Sequence, residues 1–145
     1  MQHPHVGLFG AVVRVVVPGD VGQVAGGDAQ QAVGVAELLA REAGISKTLV
    51  VCPASLKSQW RAEIHRFCDR SVQLVGGPIS ERSATYRNES FFTICNYEQV
   101  LRDILAVERV PWDLIILDEG QRIKNWETKT SKVIKSLKSR FALLL

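Results

Sequence analysis

The chain has 145 residues, 46% of them apolar and 23% charged, with 18 basic against 15 acidic side chains. That length is one domain's worth, and the balance excludes both a disordered chain and a disulfide-stapled miniprotein, since a domain of this size buries roughly 68–70% of its unfolded surface. Cys52, Cys68 and Cys95 are widely spaced and contain no C-x-x-C pair, which argues for a reducing compartment and against a disulfide framework or a structural zinc.

Val12–Val17 is a β-branched run closed by Pro18-Gly19 and is predicted as a strand. Gly19–Asp28 follows as a glycine-rich loop. Ala32, Ala36, Leu39 and Ala43 recur at helical spacing, so a helix is expected over Ala29–Ala43, stopped by Gly44. Thr48–Cys52 is a buried strand ended by Pro53. Leu56, Trp60, Ile64 and Phe67 mark one face of a second helix, with Trp60 as packing. Ser71–Val75 is a strand closed by Gly76-Gly77-Pro78, and Ser80–Arg87 a short polar helix or loop. Phe91–Cys95 is a strand, followed by one helix through Tyr97, Val100, Leu101, Ile104 and Leu105. Leu114–Leu117 is an apolar strand running directly into Asp118-Glu119. A basic helix is expected over Thr128–Lys138, and Phe141–Leu145 opens a last strand.

Strands without polar alternation, each separated by a helix, predict an α/β three-layer sandwich with a mainly parallel sheet covered on both faces. Right-handed crossovers then put the C-terminal ends of the strands on one edge, where such folds bind ligands. The Gly19–Asp28 and Asp118–Gln121 loops should therefore share that edge. No apolar run approaches the roughly 18 residues that span a bilayer. Arg14 interrupts the Val-rich N-terminal stretch, which lacks the basic leader of a signal peptide. The expectation is a cytoplasmic protein without a membrane partner.

Two adjacent carboxylates at a strand tip are what a nucleotide hydrolase needs, one for Mg²⁺ and one to orient water. An acidic pair capping a strand and turn is the alternative. A phosphate cradle of the form G-x-x-x-x-G-K-[ST] is the required partner. Gly22 and Gly27 have its spacing, and a strand and a helix flank them, but Asp28 and Ala29 stand where Lys and Ser/Thr belong. A charge pair at about 4 Å is worth roughly 4 kcal/mol at an effective dielectric near 20, so exchanging attraction for repulsion weakens phosphate binding by orders of magnitude. Gly44-Ile45-Ser46-Lys47-Thr48 leads into a strand and is a turn. His65 and Cys68 lie three apart without a second ligand pair, so no metal site is expected there.

Charge is unevenly spread. Residues 1–47 carry three basic and four acidic side chains, a balance of −1, and residues 118–145 carry seven and three, a balance of +4. Lys129, Lys132, Lys135 and Lys138 step along the predicted basic helix, either as a solvated face or as phosphate contacts to nucleic acid. Trp126, in a polar stretch, is a candidate for stacking on a base.

Three strings in order resemble a known family. L-V-V-C-P-A-S-L-K-S-Q-W at 49–60, with E-I-H-R-F at 63–67, is similar to motif Ia of the Swi/Snf-type ATPases of helicase superfamily II. T-I-C-N-Y-E at 93–98 resembles their motif Ib region, and W-D-L-I-I-L-D-E-G-Q-R-I-K-N at 112–125 their motif II, the Walker B element. The basic helix and F-A-L-L-L at 141–145 resemble the stretch leading into motif III in bacterial members. The resemblance covers Ala32–Leu145 and divides the chain into a divergent segment, 1–31, and a partial first RecA-like lobe, 32–145.

The resemblance implies a DNA-dependent, helicase-like translocase that uses ATP and Mg²⁺ and moves on double-stranded DNA. It makes Asp118 the Mg²⁺ carboxylate, Glu119 the catalytic one, and Gln121 the residue that couples the nucleotide site to a second lobe. Ser55 and Lys57 would fall in one segment facing the DNA backbone, and Asn96 and Tyr97 in another. Gly27-Asp28-Ala29 falls on the family's Gly-Lys-Thr. The loss of that Lys and Thr, the end of the chain before motif III and the absence of a second lobe make hydrolysis by this chain alone unexpected. The change of character near Gln31 is expected of a frameshifted or mis-started reading, or of a degraded gene copy. A nucleotide-blind lobe that binds DNA or a partner through the basic face, or a gene fragment without function, are the competing readings.

Overall fold

The computed structural model describes residues 5–8, 11–16, 29–118 and 137–145. Over these run β1 (His5–Leu8), β2 (Ala11–Val16), α1 (Ala29–Ala43), β3 (Thr48–Cys52), a 3-10 turn (Ala54–Leu56), α2 (Lys57–Phe67), β4 (Val72–Leu74), α3 (Ile79–Arg87), β5 (Phe92–Asn96), α4 (Tyr97–Arg102), α5 (Ile104–Glu108), β6 (Leu114–Leu117) and β7 (Phe141–Leu144). The strands form one sheet in the order β1-β2-β7-β6-β3-β5-β4. The five from β7 to β4 are all parallel.

Every residue of β3 and β6 is buried, as continuous apolar strands in the middle of a doubly covered sheet must be. Alternate side chains feed two cores. Leu49, Val51, Ile115 and Leu117 pack with Tyr97, Val100, Val107 and Trp112 on one face. Val50, Cys52, Leu114 and Ile116 pack with Ala32, Ala36, Trp60 and Ile64 on the other. Ala32 and Ala36 have no exposed surface; their small side chains let α1 lie close against the sheet. The layers are those the sequence predicts.

Gly44, at φ +68°, ends α1 in a conformation that costs a residue with a Cβ. The turn after it is held at the foot of β6. The Asp113 carboxylate accepts from the backbone nitrogens of Ser46 at 2.8 Å and Lys47 at 3.1 Å.

Three expectations need correcting. The helix predicted through Tyr97 to Leu105 is two helices, broken at Asp103. That carboxylate is buried, receives the Arg82 guanidinium in two bonds of 2.7 and 2.8 Å, and accepts from the Tyr86 hydroxyl at 2.9 Å. Phe67 is 42% exposed. It walls a hollow with Val33, Gly34 and Leu38 of α1, where glycine offers no side chain to cover the ring. The third concerns β2, which pairs with β7 antiparallel, Val15 opposite Leu143 and Val16 opposite Ala142. Leu117 is level with Leu144, so β2 runs away from the edge that carries Asp118. It leaves the sheet at the other edge.

Candidate functional site

Asp118 follows the last residue of β6, on the edge formed by the C-terminal ends of the parallel strands. Three elements hold it. Its backbone nitrogen donates to the Val51 carbonyl of β3 at 2.8 Å. The Trp60 indole Nε1–H of α2 donates to its Oδ2 at 2.7 Å. The Tyr97 hydroxyl, from the first residue of α4, donates to its backbone carbonyl at 3.0 Å. Trp60 is 2% exposed, and a buried indole N–H needs an acceptor. Here the acceptor is a carboxylate, which makes the bond charge-assisted.

Trp60 is the partner of Asp118 that sequence reading passes over. At a helical core position an indole reads as packing, and packing is half of what it does. A buried Trp on the helix right after a strand, with an acidic residue ending the neighbouring strand, is the signal that could have found it.

A second knot of bonds ties the openings of α2 and α4 together. Lys57 Nζ donates to the Val75 carbonyl beyond β4 and to Gln99 Oε1 at 3.1 Å. Gln99 also accepts from the Asn96 nitrogen at 3.0 Å, while Asn96 Oδ1 accepts from the Gln99 nitrogen at 2.8 Å. This reciprocal pair is a capping box at the start of α4. Gln99 Nε2 adds a bond to the Val75 carbonyl at 3.1 Å.

The residues expected to face DNA therefore divide by role. Ser55, in the 3-10 turn, is exposed. Asn96 is half-buried and spent on its cap. Lys57 is half-buried with its ammonium bound to two internal oxygens. Tyr97 is 5% exposed and faces Asp118. Gly22, Gly27, Glu119, Gln121, Lys129 and Lys132 lie outside the described residues, as does the predicted basic helix up to residue 136; beyond it Leu137 is buried and Lys138 exposed.

Cys52, at the end of β3, is no nucleophile. Burial, and then the nearby Asp118 carboxylate, push its thiol up to about 12 against a smaller opposing pull from Lys57.

Mg²⁺ is held in nucleotide sites by one or two carboxylates together with the phosphates themselves. Asp118 suits that part, but among the described residues no group of three or more His, Cys, Asp or Glu gathers to hold a metal alone. The phosphates would have to come from a cradle in which Asp28 replaces the lysine and Ala29 the hydroxyl. The residues present do not fit Mg²⁺-ATP, and no hydrolytic step is assigned to them.

Comparison with known proteins adds the lineage. Residues 23–145 match the SNF2-related domain. The chain is 31% identical over 104 residues to mouse DNA repair and recombination protein RAD54B, covering 70% of this chain and 12% of that protein. It is 31% identical over 140 residues to an ISWI chromatin-remodeling complex ATPase, CHR11, of Arabidopsis thaliana, covering 77% of this chain and 13% of that one. Its fold is similar to the Sulfolobus solfataricus SWI2/SNF2 ATPase core in complex with dsDNA, with a TM-score of 0.69 and 29% identity over 82% of this chain and 25% of that chain. The chain thus spans about an eighth of the length of these two curated relatives.

Proposed function

The chain belongs to the family of SNF2-related domains, and on that premise we propose that it is a partial first RecA-like lobe of a Swi/Snf-type DNA-dependent ATPase, one that meets double-stranded DNA without itself hydrolysing ATP. The observation that carries this reading is the shared edge. Asp118, where the family's Walker B carboxylate falls, is bonded directly to Trp60 and Tyr97, which belong to the two segments that resemble its DNA-facing motifs.

On this reading Ser55 offers its hydroxyl, and the segments that open α2 and α4 their polar groups, to phosphate oxygens, contacts that position a duplex without reading its sequence. Lys57 serves from behind, bracing the two segments. Lys129 and Lys132 add electrostatic attraction from the basic stretch. Asp118 and Glu119 are the carboxylates that serve Mg²⁺ and water in the family, and Gln121 its link to a second lobe. In this chain Asp28 and Ala29 remove the lysine and the hydroxyl that would hold the phosphates.

The test is fluorescence anisotropy of a labelled duplex across a salt series, with and without ATP and Mg²⁺. Binding should weaken linearly in log salt and be indifferent to nucleotide. Replacing Lys129 and Lys132 with alanine should lower the slope by roughly 2. Flat anisotropy at low salt would reject the DNA contact, and DNA-stimulated phosphate release would reject the loss of hydrolysis.

A further inference from the structure

Two bonds reach Asp118 from different helices. Trp60 lies one turn into α2, three residues after Lys57; Tyr97 is the residue directly after the Asn96 cap. Trp60 grips the carboxylate and Tyr97 the backbone carbonyl of the same residue. The openings of the two helices are themselves cross-tied, because Lys57 bonds Gln99 and both Lys57 and Gln99 bond the Val75 carbonyl. A load on either opening is shared with the other. Val51 fixes the Asp118 nitrogen from the central strand, so motion at the helix openings is expressed at the carboxylate and the carbonyl.

We propose that Trp60 and Tyr97 are positioning residues through which a duplex seated on the Ser55–Asn96 edge acts on the Asp118 carboxylate. The proposal rests on the reading that this edge meets DNA, and it gives that reading a route to the Walker B residue independent of bound nucleotide. Hydrogen bonds weaken steeply with misalignment, so a small turn of α2 changes how firmly Oδ2 is held. Trp112, by contrast, donates to the Val107 carbonyl at 2.9 Å, close to its own place in the chain.

The indole N–H groups report this directly in a ¹H–¹⁵N correlation spectrum of the whole chain, titrated with a short duplex at low salt. The expected result is a saturable shift of the Trp60 cross-peak while that of Trp112 stays in place. In Asp118→Asn the Trp60 cross-peak should already be displaced without DNA, and its response to duplex should shrink. Tyr97→Phe should shrink it too. Anisotropy on the same samples separates the failures. A duplex that binds while Trp60 stays still, or moves it equally in wild type and Asp118→Asn, overturns the link and leaves the DNA reading standing. A duplex that does not bind overturns both.

Discussion

Replacing Tyr86 with phenylalanine isolates one bond in the buried cluster of Tyr86, Asp103 and Arg82. Tyr86 has no exposed surface, and its hydroxyl donates to Asp103 Oδ2 at 2.9 Å. The ring stays and no cavity opens, so the cost is that of a hydrogen bond to a charged acceptor, about 1.5–3 kcal/mol. The lower end applies. Oδ2 keeps Arg82 Nε at 2.7 Å and Oδ1 keeps Arg82 Nη2 at 2.8 Å, so the carboxylate is not stranded. With a urea m-value of about 2 kcal/mol/M, the midpoint should fall by roughly 0.7 M. The pH dependence supplies a second check. The Arg82 guanidinium first, and the Tyr86 hydroxyl after it, hold Asp103 below its ordinary value of 3.8. Asp103 therefore contributes stability that is complete above 3.8 and is lost as pH falls through its lower folded value. The gap between wild type and variant should narrow over the same window, because a neutral acceptor is worth less. Urea denaturation followed by far-UV circular dichroism at pH 7 and at successive steps down through the acid limb measures both. A midpoint shift below about 0.2 M at pH 7, or a gap that is undiminished in acid, refutes the reasoning.

Restoring the phosphate-loop residues as Asp28→Lys with Ala29→Thr should raise affinity for a fluorescent ATP analogue, because it returns the cation and the hydroxyl that a phosphate cradle needs; unchanged affinity would show otherwise. Of the three thiols, only half-buried Cys68 should react promptly with Ellman's reagent at pH 8, since burial pushes Cys52 up to about 12 and raises Cys95 as well; two or more fast equivalents would contradict this. Gly44→Ala should cost about 1 kcal/mol from its positive φ alone, since open space surrounds the position, and an unchanged thermal midpoint would count against it.

Much of this was legible in the sequence, and the exceptions share a cause. β3 and β6 are bounded as their apolar and β-branched runs predict, because a strand buried on both faces carries few polar residues before it ends. The placement of Asp118 at a strand tip followed from that alone. The break at Asp103 was not readable, since its partners Arg82 and Tyr86 lie 21 and 17 residues away. The direction of β2 was not readable either: a β-branched run specifies extended backbone, and its orientation is set by which neighbour it meets. Trp60 shows the same limit, its carboxylate partner lying 58 residues along the chain.

Asp113 and Asp118 stand at opposite ends of β6, and that makes the strand a ruler. Five residues at about 3.3 Å each separate the two acids by roughly 17 Å. The lower acid is clamped to the Ser46 and Lys47 nitrogens, so the strand has a fixed zero. Slipping by one residue would turn each buried side chain to the opposite core and carry the upper acid with it. A deletion or insertion inside 114–117 should therefore displace Asp118 from its partners on β3, α2 and α4. The gauge that sets the height of the upper acid is read at the foot of the sheet.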